Sequence, residues 1–188
     1  MTAHRIISAV VGAGLLTIVA SASVVGGAPA TEDAAVAGRS AARVGNAQIV
    51  AEVPPPPPPP VADPAADVIA LTNAARATAG LPPLATHPQL QEAARAHSQD
   101  QAARNQMSHY GSNGSEVGDR VSATGYSWSA VAENVAAGYS TAQAVMSGWM
   151  GSAGHRQNIL YPGVVHVGVA VATSSSGTPY WTMVLAAP

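Results

Sequence analysis

Seven consecutive prolines, Pro54–Pro60, interrupt the first third of this chain. Proline fixes φ near −65° and has no N–H for a hydrogen-bond ladder, so the run is excluded from helix interiors and central strands. It predicts a stiff polyproline II rod that rises about 3 Å per residue, or roughly 20 Å in all. We interpret the rod as a spacer, with a docking site for a proline-binding module as the alternative. A folded domain must therefore lie to one side of it.

The segment before the prolines has the pattern of an export signal. His4 and Arg5 precede about 20 apolar residues, and small residues with the spacing of cleavage sites follow at 20–22 and 28–30. An uncleaved anchor is the alternative, because about 20 apolar residues also span a bilayer. Ser, Gly and Thr dilute the stretch, which favours cleavage. We predict a signal peptide over residues 1–30.

This pattern puts the remainder of the chain outside the cytoplasm. Residues 31–62 are rich in Ala, Gly, Val and Pro without sustained periodicity, which is typical of a low-complexity, proline-rich linker. No later segment is long and apolar enough to cross a membrane. We expect a secreted or cell-envelope-associated protein whose folded domain covers residues 63–188.

Charge and cysteine content exclude several classes of protein. The net charge is −2 and the cations are eight scattered arginines, so no nucleic-acid surface is expected. No cysteine occurs, which excludes disulfides, thiolate metal sites and a cysteine nucleophile. The chain is 47% apolar, which is enough for the domain to enclose one hydrophobic core.

Two helices are predicted directly after the linker. Asp63 and Pro64 supply an N-cap and a first-turn proline, and Gly80 has the position of a terminating glycine. A second helix is predicted to begin at Pro88. Its apolar stripe includes His97, which we interpret as a hydrogen-bonded packing residue rather than a ligand.

The middle of the domain has weaker patterns. Residues 111–125 contain several glycines and serines, which predict a loop. A short helix is predicted from Ser127 through Glu133, and a longer one from Ser140 to near Met150.

Beyond residue 163 the hydrophobic pattern changes to a period of two residues, which predicts strands. Valines at 165, 167, 169 and 171 share one face, residues 174–179 turn the chain, and residues 180–185 return as a second strand. Helices followed by an antiparallel pair indicate an α+β domain.

Five short motifs follow one another through the domain in a fixed order. They are Asn73-Ala74-Ala75-Arg76, Gly80-Leu81-Pro82-Pro83-Leu84, Met107-Ser108-His109, Glu133-Asn134-Val135-Ala136, and the run from Trp149 to Leu160. Their order and spacing resemble the CAP superfamily, also called SCP or PR1-like, in its bacterial, cysteine-free branch. The resemblance implies a three-layer α-β-α sandwich with a small antiparallel sheet and a cleft lined by histidines and glutamates.

Carried onto this sequence, the resemblance implies a ligand cleft formed by His109, Glu133, Ser152 and His155. Many eukaryotic relatives have a second glutamate where this chain has Ser152, so the cleft has one carboxylate fewer, as the bacterial form of the motif implies. Two imidazoles and a carboxylate suit zinc and leave a coordination position open, so His109, Glu133 and His155 are the candidate metal ligands. Because zinc needs neutral imidazoles, occupancy is expected to fall below about pH 6. The alternative is that these three residues only hold the fold together.

Four further residues are expected to support the fold rather than to bind a ligand. Trp149 and Trp181 are predicted core aromatics, and Asn134 is predicted to bond backbone. Arg156 is expected to pair with a carboxylate or to cap a loop carbonyl.

The resemblance implies extracellular binding of a lipid, a cell-wall component or a protein partner. Hydrolysis by a metal-activated water with Glu133 as base is the enzymatic alternative. Neither a Gly-x-Ser-x-Gly nor a His-Glu-x-x-His motif occurs, and the spacing of Ser152 and His155 is poor evidence for a nucleophile and its base. We therefore favour a non-enzymatic binding module, with a purely structural surface domain as the third interpretation.

Overall fold

A five-stranded sheet with helices on both faces organises the residues that this computed structural model describes, 5–10 and 63–188. The linker, its proline run and the remainder of the predicted signal peptide lie outside the described residues. In chain order the elements are β1 (Arg5–Val10), α1 (Pro64–Thr78), β2 (Ala85–Thr86), α2 (Pro88–Arg104), α3 (Val117–Ala123), β3 (Ala130–Ala137), α4 (Ala142–Gly151), α5 (Ala153–Ile159), β4 (His166–Thr173) and β5 (Pro179–Ala187).

The strand order is β1-β3-β5-β4-β2. The central strand β5 pairs antiparallel with both β3 and β4, and the turn at 174–179 joins β4 to β5 as predicted. The edge strands β1 and β2 pair in parallel with β3 and β4. The expected small antiparallel sheet is thus the centre of a larger mixed sheet.

Helices cover the two faces of the sheet and make three layers. Side chains alternate along each strand, so successive residues point to opposite faces. One face packs on α1, α4 and α5 around Trp149, Ile159 and Trp181. The other packs on α2 and α3 around Leu90 and Val121. Each large apolar side chain in these cores contributes about 1.5–3 kcal/mol by its burial. The expected α-β-α arrangement is confirmed.

The first helix has the predicted ends. Asp63 Oδ1 accepts a hydrogen bond from the Ala65 N–H at 3.0 Å and caps the N-terminus of α1. Gly80 takes a positive φ of 71°, and the Leu81 N–H donates to the Arg76 carbonyl at 2.9 Å. This is the Schellman arrangement that a terminating glycine permits.

The predicted loop at 111–125 is wrong in its centre, where α3 forms. The Glu116 side chain and the Asp119 side chain cap each other's backbone N–H groups, which stabilises the first turn. Val117 and Val121 then bury one face of this helix against α2. The glycines and serines of this segment favoured a loop prediction, although a capping box stabilises a short helix within it.

The predicted helix from Ser127 through Glu133 is also wrong, because this region contains β3. Val131 faces one core and Ala132 faces the other, so the strand is buried on both sides. A strand without polar alternation has no period-two signal that separates it from a short buried helix. The cap of the next helix lies one residue later than predicted, since Thr141 Oγ1, not Ser140, accepts from the Ala144 N–H at 3.1 Å.

The described helices are all too short or too polar to cross a membrane.

Candidate functional site

Glu133 is a carboxylate with no exposed surface, and both of its oxygens are engaged. Oε1 lies 2.7 Å from His109 Nδ1, and Oε2 accepts from Arg120 Nη2 at 2.6 Å. His97 Nε2 is further away, at 3.9 Å from Oε1. A buried carboxylate is costly unless it is paired and hydrogen-bonded, so these contacts are what permit Glu133 to lie inside the domain.

Arg120 connects this carboxylate to the loop that carries His109. Its Nη1 donates to the Ser115 carbonyl at 2.6 Å, and its Nη2 donates to the His109 carbonyl at 3.1 Å. The short helix α3 positions Arg120 on the sheet face that Glu133 shares with Val131. Arg120 is not among the site residues predicted from the sequence. The only signal was its place in a Gly-rich segment, one residue after Asp119.

His97 and Gln101 fix the backbone that leads into His109. His97 Nε2 lies 2.8 Å from the Ser108 carbonyl, and Gln101 Oε1 accepts from the Ser108 N–H at 3.2 Å. Burial lowers the pKa of His97 below its ordinary value, an effect that the nearby Glu133 opposes in part. His97 is the hydrogen-bonded packing residue that the helical stripe predicts.

His155 pairs with Ser152 rather than with Glu133 in the described contacts. Ser152 is the N-cap of α5 and His155 lies three residues later, where the two side chains face each other. His155 Nδ1 is 2.9 Å from Ser152 Oγ. The hydrogen bond that the sequence spacing made doubtful is therefore present.

Neighbouring residues of β3 direct their side chains to opposite faces of the sheet. Glu133 points toward α2 and α3, whereas its neighbour Asn134 points toward α5 and donates to the His155 carbonyl at 3.2 Å. Asn158 Nδ2 donates to Asn134 Oδ1 at 2.9 Å and to the Glu133 carbonyl at 3.2 Å. The backbone role predicted for Asn134 is confirmed, and Asn158 is its partner.

The donors in this arrangement do not fit a zinc ion. Among the described residues, no three His, Asp or Glu side chains are grouped as metal ligands would be. His109 and Glu133 bond each other, and the Arg120 guanidinium at Glu133 Oε2 would repel a cation placed there. Zinc binding at His109, Glu133 and His155 stays a prediction.

The two tryptophans and Arg156 have the structural roles expected of them. Trp149 and Trp181 are buried, and the Trp181 indole N–H donates to the Tyr139 carbonyl at 2.8 Å. Arg156 Nη1 caps the Met150 carbonyl at 3.0 Å.

The first motif of the domain also has a structural explanation. Asn73 Oδ1 accepts from the Leu84 N–H at 2.8 Å, and Asn73 Nδ2 donates to the Leu84 carbonyl at 3.1 Å. Arg76 is buried beside it and donates to three carbonyls, those of Pro82, Ile159 and Tyr161. The motif therefore ties α1 to the turn after it and to the end of α5.

Two cavities open near these elements. One of about 290 Å³ lies beside His97 and Arg120 and is lined by polar groups such as Asp100 and Asn113. The other is an apolar groove of about 240 Å³ between α1 and α4. Its lining includes Leu71, Ala75, Met146 and Met150.

Residues 69–185 match the family model of CAP, described as the cysteine-rich secretory protein family. The chain belongs to this family. The match runs from α1 into β5 and so contains His109, Glu133, Ser152 and His155. The sequence resemblance is confirmed, and the absence of cysteine is a property of this member.

Two curated relatives come from Bacillus subtilis strain 168. The uncharacterized protein YkwD is 39% identical over 115 residues, which cover 61% of this chain and 44% of YkwD. The uncharacterized membrane protein YlbC is 32% identical over 104 residues, which cover 55% of this chain and 30% of YlbC. The chain thus spans less than half the length of either relative.

Solved structures share the same fold. An extracellular protein containing a SCP domain from Bacillus anthracis strain Ames has a TM-score of 0.61 and 29% identity, over 66% of this chain and 40% of that one. An outer surface protein from Borrelia burgdorferi has a TM-score of 0.61 at 15% identity, over 66% of this chain and 95% of that one. These likenesses confirm the α+β sandwich of CAP type.

Proposed function

We propose that this chain is a secreted, non-enzymatic binding module with two candidate surfaces, the cleft beside His109 and Glu133 and the apolar groove between α1 and α4. Its ligand is an extracellular lipid, a cell-wall component or a protein partner. Secretion is supported by the export pattern of residues 1–30 and by the extracellular and outer-surface names of structural relatives.

The burial and hydrogen bonding of Glu133 are the main support for a non-enzymatic function. A general base must come within hydrogen-bond reach of the proton that it removes. Glu133 has no exposed surface, and Arg120 and His109 engage its two oxygens at 2.6 and 2.7 Å. An oxygen of this carboxylate would have to share or give up its present partner before it could take a proton from a substrate or bind a metal. Such a group is suited to holding β3, α3 and the His109 loop in a fixed arrangement around a ligand.

The apolar groove between α1 and α4 supports an apolar ligand. Leu71, Met146 and Met150 line it, and methionine adapts its shape to irregular partners. A groove of about 240 Å³ is large enough for part of an acyl chain but not for a whole lipid.

Hydrolysis through Ser152 and His155 is the second candidate function. The 2.9 Å contact between His155 Nδ1 and Ser152 Oγ is the geometry that a nucleophile and its base require. A working pair also needs an orienting group on the histidine and donors for an oxyanion.

Turnover assays on the full chain separate these candidates. Peptide and ester substrates are incubated with the wild type, Glu133→Gln and Ser152→Ala, with and without zinc. We expect no turnover above the background of the two variants. Hydrolysis that either substitution abolishes would contradict the proposal.

Binding is measured by co-sedimentation of the full chain with lipid vesicles and with purified peptidoglycan, and by cross-linking to surface proteins of the source cells. Met150→Glu puts a charge into the apolar groove and should reduce vesicle binding at least tenfold. Ala77→Glu, on the exposed side of α1, is the matched control and should bind as the wild type does. A chain that binds none of these is a structural domain, and the proposal fails.

Elemental analysis after zinc loading at neutral pH tests the metal prediction separately. The donor arrangement leads us to expect no stoichiometric zinc. About one zinc per chain that is lost in both His109→Ala and His155→Ala would contradict this expectation and support the predicted metal site.

A further inference from the structure

We propose that the outer edge of β3 is a strand-binding site for an extended peptide running parallel to it, and that Arg5–Val10 occupies this site in the full chain. The inference rests on the binding function proposed above and names a class of ligand for it. The backbone of Arg5–Val10 forms β1, whose register with β3 runs from Arg5 opposite Ala130 to Val10 opposite Val135.

Hydrogen bonds elsewhere in the sheet determine which groups of β3 face this edge. Each strand residue directs its N–H and C=O to one side, and the side alternates along the strand. The His87 N–H donates to the Val167 carbonyl at 3.0 Å, so odd-numbered residues of β4 face β2 and even-numbered ones face β5. The even-numbered residues of β5 therefore face β4, and its odd-numbered residues face β3. The register pairs those odd-numbered residues with even-numbered residues of β3, and the bond from the Gly138 N–H to the Pro179 carbonyl agrees with this. The β3 residues that face outward are therefore Val131, Glu133 and Val135.

Side chains already donate to two of the three outward carbonyls on this edge. Asn158 Nδ2 donates to the Glu133 carbonyl at 3.2 Å, and Trp149 Nε1 donates to the Val135 carbonyl at 3.3 Å. The outward N–H groups are left for an incoming strand, which must supply carbonyl oxygens. A buried N–H without an acceptor is costly, so this edge favours pairing with an extended chain.

The opposite edge of the sheet is closed differently. There β2 pairs with the start of β4, and the Gln91 side chain bonds both the N–H and the C=O of Val169 beyond the end of β2. Because the Gln91 amide occupies both backbone groups of Val169, no further strand can pair there. Of the two edges of the described sheet, the one at β3 is therefore the edge at which another chain can pair as an added strand.

The edge of β3 that Arg5–Val10 occupies lies close to the candidate site residues Glu133 and His155. Ser8 is opposite Glu133 in the register, and α5, which carries His155, packs beside β1. The segment contains two isoleucines, a valine and small residues, a composition typical of strands. We therefore expect the ligand to be an extended peptide rich in β-branched and small residues. Removal of the predicted signal peptide would open the edge to such a peptide from a partner.

Two proline variants of the full chain test the occupancy of this edge. In a parallel pair, Glu133 bonds to the residues on either side of Ser8, so the N–H of Ile7 faces β3 and that of Ser8 faces away. Ile7→Pro should break the pairing, and Ser8→Pro is the matched control that an edge strand tolerates. NMR hydrogen exchange is measured for each amide of β3, with the amides of β5 as internal reference.

We expect Ile7→Pro to speed exchange about tenfold at Val131, Glu133 and Val135, and to leave the intervening residues unchanged. The six-residue peptide Arg-Ile-Ile-Ser-Ala-Val added to this variant should restore protection at the same three amides. A peptide with proline at its third position should not. Unchanged exchange, uniform acceleration along β3, equal effects of the two prolines, or failure of the peptide to protect would each overturn the inference.

These outcomes differ from those that would overturn the proposed function. If the chain binds vesicles or peptidoglycan but the peptide does not slow hydrogen exchange at the β3 amides, only the strand-binding site is overturned. Substrate turnover that depends on Glu133 or Ser152 overturns the non-enzymatic function, whatever the exchange data show.

Discussion

The Arg120 guanidinium lies 2.6 Å from the Glu133 carboxylate, and the carboxylate is fully buried. Removing Arg120 would leave a buried charge without its partner and free two carbonyls that it also serves. We expect Arg120→Met to lower the free energy of unfolding by about 3–5 kcal/mol, measured by urea denaturation monitored by circular dichroism.

The exposed pair of Arg95 and Glu92 is the matched control. Its atoms are 2.7 Å apart, but both side chains are 52% exposed. Solvent screens such a pair, so Arg95→Met should change the free energy of unfolding by less than about 1 kcal/mol. The added substitution Glu133→Gln should recover part of the loss in Arg120→Met, because it removes the uncompensated charge. Equal losses at Arg95 and Arg120 would contradict the role assigned to the buried pair.

Gly168 lets β4 lie directly against α2. A Cβ at this position would be 2.2 Å from the Leu90 carbonyl carbon and 2.3 Å from the Gln91 nitrogen, both of them backbone atoms. Backbone cannot move aside as a flexible side chain can, so Gly168→Ala must push the helix off the sheet. We expect a loss of about 3 kcal/mol in the free energy of unfolding, read from the urea midpoint.

Gly151, the last residue of α4, provides the comparison. No atom lies within 4 Å of a Cβ built there. Gly151→Ala should be neutral, or stabilising by up to about 1 kcal/mol, because alanine loses less backbone entropy on folding. A Gly168→Ala variant as stable as Gly151→Ala would mean that β4 and α2 are less closely packed than described.

Helices and strands whose ends carry capping or turn residues could be predicted from the sequence. Buried elements without such residues at their ends could not. Asp63, Pro64 and Gly80 mark α1 chemically, and the turn after β4 marks the hairpin. In contrast, β3 is buried on both faces and lacks the alternation by which a strand is recognised. Its position depends on the helices above and below it, which no local pattern encodes.

The candidate site divides in the same way. Motif resemblance indicated His109 and Glu133, which bond each other, as well as Ser152 and His155, which also do. It did not indicate Arg120, because an arginine 13 residues from its carboxylate leaves no local signature. Nor could residue types reveal that Glu133 and Asn134 point to opposite faces of the sheet. That follows only from the alternation of Glu133 and Asn134 on a strand.

Arg76 offers a test of why the first motif requires arginine. It is buried and donates to the carbonyls of Pro82, Ile159 and Tyr161 from a planar group. Lysine keeps the charge but presents a single ammonium, so Arg76→Lys should leave at least one buried carbonyl unpaired. We expect a loss of about 2 kcal/mol or more in urea denaturation. Arg156→Lys, an exposed arginine that caps only the Met150 carbonyl, should lose less than about 1 kcal/mol.

His166 gives the stability of the domain a dependence on pH. Burial lowers the pKa of His166 below 6.5, and the neighbouring imidazole of His87, whose ring centre is 4.8 Å away, lowers it further. The Tyr126 hydroxyl lies 2.7 Å from His166 Nδ1 and holds the ring in place.

Because the folded chain takes up this proton less readily than the unfolded chain, acid favours unfolding. Stability should fall as the pH drops through about 6.5, and the fall should end once the pH is below the folded pKa of His166. Thermal unfolding between pH 8 and pH 5 measures the slope in the wild type and in His166→Asn. The variant should lose part of the slope and keep the remainder, since burial also lowers the pKa of His97. Parallel curves for the two proteins would mean that His166 takes up its proton as easily in the folded chain as in the unfolded one.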